Sequence, residues 1–80
     1  MEGDLQRILG ENLRAYRTAR GLSQEALADL LGFHRTYMSG VERGVRNLPL
    51  KSVERLAEQL DIDPVDLLQV DSRPSAARRK

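Results

Sequence analysis

Three glycines limit the scale of anything this chain can build. Gly21, Gly32 and Gly44 interrupt stretches in which apolar residues recur every third or fourth position. That spacing marks helices with one buried face. A glycine just past such a stretch ends the helix readily, because it adopts the left-handed conformation without a Cβ penalty. The first half of the chain therefore holds short helices turned tightly on one another. Leu5, Ile8, Leu9, Leu13 and Tyr16 predict a first helix from about Asp4 to Ala19, stopped by Gly21. Ser23 is a good N-cap for a second, with Gln24 and Glu25 in its first turn, Ala26, Leu27, Leu30 and Leu31 as apolar residues and Gly32 as its stop. A third helix is expected over His34 to Arg43, with Met38 and Val41 as its apolar pair. Neither Phe33 nor His34 is an ideal cap for it. Gly10 falls inside the first helix, where it costs about 1 kcal/mol against alanine. Its presence there points to close packing.

Beyond Gly44, Val45 to Pro49 reads as a loop holding Arg46 and Asn47. A fourth helix is expected from Leu50 to Leu60, with Val53, Leu56, Ala57 and Leu60 on one face. Asp63-Pro64 is a strong start signal for a fifth. Asp63 can cap the open N–H groups, Pro64 fits the first helical position, and Asp66 adds negative charge to the first turn. Leu67, Leu68 and Val70 would form its buried side. No alternating Val/Ile/Thr run or tight hairpin turn suggests a strand. The chain reads as one all-α domain over residues 1–70, followed by a disordered basic tail over 71–80.

Composition removes several classes of function. There is no cysteine and a single histidine, His34, so neither a disulfide framework nor an ordinary zinc site is available. No nucleophile, base and carboxylate fall together, and an 80-residue chain has little room for a catalytic pocket. No enzyme activity, metal, cofactor or small-molecule ligand is expected. No apolar run approaches the roughly 18–20 residues of a membrane span. The acidic start, Met1-Glu2-Gly3-Asp4, does not read as a signal peptide, so a cytoplasmic protein is expected.

The formal net charge is +1, but it is unevenly spread. Arg35, Arg43, Arg46 and Lys51 face only Glu42 between Phe33 and Ser52. From Val53 to Asp71, Arg55 stands against Glu54, Glu58, Asp61, Asp63, Asp66 and Asp71. Arg73, Arg78, Arg79 and Lys80 make the tail basic again. Such alternation can arise by chance on a small helical domain. It also suits a polyanion-binding face opposite an acidic back.

Two short helices joined at Gly32 form a helix-turn-helix arrangement over residues 23–43. Leu27, Ala28 and Leu31 would pack inward, with Ala28 allowing close approach of the third helix. Met38 and Val41 would hold that helix from below. Its outer stripe is then Arg35, Thr36, Ser39 and Arg43, while Glu42, beside Val41, points back toward the core. A helix lying in a major groove needs such a face, free of carboxylates and able to reach base edges.

Leu22-Ser23-Gln24-Glu25-Ala26-Leu27-Ala28, then Leu31-Gly32, then Val41-Glu42-Arg43-Gly44, resembles the phage repressor and Cro family of helix-turn-helix regulators. Within it, His34-Arg35-Thr36-Tyr37 followed by Ser39 to Asn47 is similar to the small controller proteins of restriction–modification systems. The resemblance implies a compact five-helix, lambda-repressor-like DNA-binding domain that acts as a homodimer on a two-fold-related operator in double-stranded DNA. It implies base contacts from Arg35, Thr36, Ser39 and Arg46, and backbone contacts from Gln24, Tyr37, Arg43 and Asn47. Position 40, a base-reading side chain in some phage repressors, is glycine here. Arg17 and Glu42 match a structural salt bridge that locks the third helix. The dimer surface is expected near Leu60, Ile62, Val65 and Leu68, where apolar residues outnumber what one small core needs. An antitoxin or protein-interaction adaptor on the same fold is the alternative, although an adaptor has no need for a cationic third-helix face.

Overall fold

The fold is that of a computed structural model, which describes residues 4–70. The tail at 71–80, and with it the reading of that tail as disordered, lies outside the described residues. Among the described residues four α-helices run in order: α1 Asp4–Ala19, α2 Gln24–Leu31, α3 Arg35–Glu42 and α4 Leu50–Leu60. A short 3₁₀ helix, Pro64–Leu68, follows them. Among the described residues there is no strand.

All four α-helices end the same way. A residue of positive φ follows the last turn, and the next N–H reaches back to the carbonyl five residues earlier. After α2 the left-handed residue is Gly32, with φ 75°. Its own N–H donates to the Asp29 carbonyl at 3.2 Å, and Phe33 N–H donates to the Ala28 carbonyl at 2.8 Å. After α4 the same role falls to Asp61, a residue that pays more for φ 59° than glycine would. These stops are local, so apolar spacing together with Gly21 and Gly32 predicts where α1 and α2 end.

One core joins every element. Leu9, Leu13 and Tyr16 of α1 meet Leu27, Ala28 and Leu31 of α2, Met38 and Val41 of α3, and Val53, Leu56, Ala57 and Leu60 of α4. Leu67 closes it from the 3₁₀ helix. Fully burying a leucine contributes about 1.5–3 kcal/mol, so this set supplies most of the driving force. Leu5 and Leu30, which fit the apolar spacing, lie at the surface, because each sits at the edge of its helix's buried stripe.

The expected fifth α-helix is instead this single 3₁₀ segment. Its start matches the sequence signal: Asp63 accepts from the Val65 N–H at 2.9 Å, and Pro64 opens the first turn. Its end is set from far away. The side-chain amide of Asn12, buried in α1, donates to the carbonyls of Leu67 at 2.9 Å and Gln69 at 2.7 Å. Those acceptors are thereby satisfied without a further helical turn. Val70, expected on the buried side, is exposed as a result, and Asp66 is buried rather than displayed.

Leu60 also requires correction. It was expected at a dimer surface, but it is 0% exposed within one chain. The Leu60 carbonyl accepts from Arg20 Nε at 2.9 Å, which ties the end of α4 to the end of α1, and the Leu60 side chain shares the buried face of α4 with Val53, Leu56 and Ala57. Ile62 and Leu68 are half-buried, and Val65 is exposed.

Candidate nucleic-acid interface

Three residues separate α2 from α3. Ser23 caps the start of α2, its Oγ accepting from the Ala26 N–H at 3.0 Å. His34, extended at ψ 143°, caps α3 through Nδ1, which accepts from the Thr36 N–H at 3.1 Å. The poor-looking cap is therefore a working one, and α3 begins one residue later than expected. Gly32 and His34 between them force the sharp bend of a helix-turn-helix unit.

The bend leaves α3 with two distinct faces. Met38 and Val41 are in the core and Glu42 is buried, whereas Arg35, Thr36 and Arg43 are exposed and Ser39 is half-buried. Glu42 is the one carboxylate between Phe33 and Ser52. It is fully engaged inside. Arg17 Nε donates to its Oε2 at 2.5 Å and Arg17 Nη2 to its Oε1 at 3.1 Å. Gln24 Nε2 donates to the same Oε1 at 2.9 Å. Arg17 Nη1 also reaches the Leu22 carbonyl at 2.7 Å. One buried cluster thus fixes α3 to α1, to the turn after α1 and to the first turn of α2. It also withdraws the only negative charge from the outer face.

Gly10 explains how α3 comes so close to α1. A Cβ there would lie 2.5 Å from the Glu42 carbonyl oxygen and 2.6 Å from that of Val41. The glycine inside α1 is thus a contact site for the backbone of α3, in line with the close packing its position suggested.

The loop after α3 is anchored on both sides. Tyr37 packs edge-on against Phe33, with ring centroids 5.3 Å apart, and its hydroxyl donates to the Asn47 carbonyl. The Asn47 side-chain oxygen accepts from the Gln6 amide of α1. Arg46 is exposed, and its aliphatic stem lies on Gly40 of α3. Arg55 of α4 donates to the Leu31 carbonyl at 2.8 Å, bracing the end of α2. Sequence reading missed Gln6, Arg20 and Arg55 as braces, since nothing in local spacing marks a long cation or amide that will reach a distant carbonyl.

Among the described residues, no group of His, Cys, Asp and Glu side chains is placed to hold a metal ion, and no helix is long and apolar enough to cross a membrane. The structure therefore presents a short, braced helix with a cationic outer face and an arginine-bearing loop beside it.

The family described as "Helix-turn-helix domain" matches residues 8–69, and the chain belongs to this family. Its relatives then narrow the resemblance. Control protein C.SmaI of Serratia marcescens is 46% identical over 65 residues, covering 81% of this chain and 77% of that protein. The crystal structure of the restriction-modification controller protein C.AhdI from Aeromonas hydrophila superposes with a TM-score of 0.73 at 52% identity, covering 78% of this chain and 94% of that one. The controller protein C.Esp1396I, solved as a tetramer in complex with its natural 35 base-pair operator, superposes with a TM-score of 0.70 at 34% identity, covering 80% of this chain and 84% of that one.

Proposed function

We propose that the protein is a sequence-specific DNA-binding transcriptional regulator of the restriction–modification controller type, acting as a homodimer on a two-fold-related operator. The observation that carries this reading is the fate of Glu42. The one acidic side chain of α3 is buried and bound, so Arg35, Thr36 and Arg43 face outward with no carboxylate among them. The operator complex of C.Esp1396I supports double-stranded DNA as the partner.

In this reading Arg35, Thr36, Ser39 and Arg46 contact bases, and Tyr37, Arg43 and Asn47 follow the sugar–phosphate backbone. A guanidinium forks onto O6 and N7 of guanine, which suits Arg35 at the start of α3. Gln24 contributes at the start of α2. A side-chain amide carries two N–H donors. One is given to Glu42, and the other is left for a phosphate oxygen. Exposed Val65, with half-buried Ile62 and Leu68 beside it, forms the surface where two copies meet. Pairing there sets two α3 helices about 34–36 Å apart, one turn of duplex. The described domain is the reading unit, regulating its own gene and a neighbouring one in the cytoplasm.

Equilibrium binding to the selected operator, and to duplexes carrying each single base-pair change, tests this. The wild-type protein should lose affinity steeply with added salt. Arg35→Ala should relax preference at one position of each half-site by about 1–3 kcal/mol. Gln24→Ala should weaken binding to all sequences alike. Unchanged affinity and preference in both variants would remove α3 as the reading element.

A further inference from the structure

We infer that Gly40 is a specificity-determining position that acts through Arg46: because it carries no side chain, the Arg46 stem lies across α3 and fills the place a side chain at position 40 would take. The inference rests on the reading of Arg46 as a base contact.

Thr36, Gly40 and Arg43 follow helical spacing and share one stripe of α3. Thr36 and Arg43 are exposed, yet Gly40 between them is buried. What covers it is Arg46. The three atoms nearest to a Cβ built at Gly40 all belong to that side chain: Cγ at 2.4 Å, and Cβ and Cδ at 3.5 Å. The end of α3 brings the two residues together. Gly44 takes φ 79°, its N–H donates to the Val41 carbonyl at 3.1 Å, and Val45 N–H donates to the Gly40 carbonyl at 3.0 Å. The chain is thereby folded back along the last turn, and residue 46 lies over residue 40. The outer stripe of α3 then presents Thr36, the Arg46 side chain and Arg43 in sequence, the middle one supplied by the loop.

Stability does not account for this glycine. In a helix interior glycine is poorer than every residue but proline, and alanine is the best. Gly10 faces backbone carbonyls that cannot turn aside, whereas Gly40 faces one exposed side chain. A methyl group at position 40 would collide with Arg46 Cγ while leaving its Cβ at ordinary contact distance. The clash is relieved by rotating Arg46 about its Cα–Cβ bond to another staggered position. That rotation carries the whole stem and the guanidinium off the stripe.

The test compares Gly40→Ala, Arg46→Ala and the double variant in the full chain, on operator duplexes bearing every single base-pair change. Gly40→Ala should lose about 10-fold in discrimination, the range of one bidentate contact, at the same base pair that Arg46→Ala affects. The double variant should be no worse than Arg46→Ala alone. The melting temperature of Gly40→Ala should equal or exceed that of the wild type. In the wild-type protein, NMR should show NOEs between the Gly40 α protons and the Arg46 γ protons, a readout independent of how any variant folds. Wild-type discrimination in Gly40→Ala, a loss at a different base pair, losses that multiply in the double variant, a lowered melting temperature or missing NOEs would each overturn the inference. If Arg46→Ala leaves discrimination intact, the base-contact reading of Arg46 falls and takes this inference with it. If Arg46→Ala acts and Gly40→Ala does not, this inference alone falls.

Discussion

Glu42→Ala should cost the folded state about 3–5 kcal/mol, the penalty for stranding one member of a buried ion pair. The Glu42 and Arg17 side chains are only 3% and 10% exposed, so solvent does little to compensate the arginine left behind. Gln24 loses its acceptor in the same step. Domains of this size are typically stable by about 4–12 kcal/mol, so the variant should lose a quarter or more of its stability. Urea denaturation followed by circular dichroism measures it. Replacing both partners, as in Arg17→Met with Glu42→Met, should recover most of the loss, because buried pairs are often matched by apolar residues of similar volume. A loss below about 1 kcal/mol in Glu42→Ala, the level of a surface pair, would contradict the buried geometry.

Gly10→Ala should destabilise the protein by about 2 kcal/mol, the balance of two opposed effects. Alanine is favoured over glycine in a helix by about 1 kcal/mol. Against that, the new methyl would sit 2.5 Å from the Glu42 carbonyl oxygen and 2.6 Å from that of Val41. Overpacking of a filled site costs about 1–3 kcal/mol and more where neighbours cannot yield. Here the neighbours are backbone atoms of α3, so the steric loss outweighs the helical gain. Relief requires α1 to move away from α3, which stretches the Arg17–Glu42 hydrogen bonds as well. Thermal melting gives the sign directly. The same change at Gly40 should leave stability equal or higher, so the two glycines of helix interiors make an internal control. A Gly10→Ala protein as stable as the wild type would mean that the two helices are not in backbone contact.

Features set by neighbouring residues were legible from the sequence. The ends of α1, α2 and α4 follow from glycines, caps and 3–4 apolar spacing, and the inward turn of Glu42 follows from its place beside Val41. The cap by His34 was harder, since imidazole is an uncommon N-cap. Features set across the chain were not legible. Asn12 decides how the segment after Pro64 ends from more than fifty positions away, and a five-residue window around Leu67 carries no sign of it. That Leu60 is used up inside a single core depends on the helices packed against α4, which no local pattern counts. Gly40 read as a missing contact, because only the reversal of the chain after α3 brings Arg46 over it.

The long first helix serves as a common datum for two tasks. Through Arg17 it holds α3, and through Asn12, little more than one turn earlier, it holds the segment that carries Val65 and Leu68. In the proposed dimer, the angle between α3 and the pairing surface is therefore surveyed from a single rigid beam. On that proposal, adapting to operators of altered half-site separation would mean resetting the angle at the two joints on this beam, while the side chains proposed to face the groove could stay as they are.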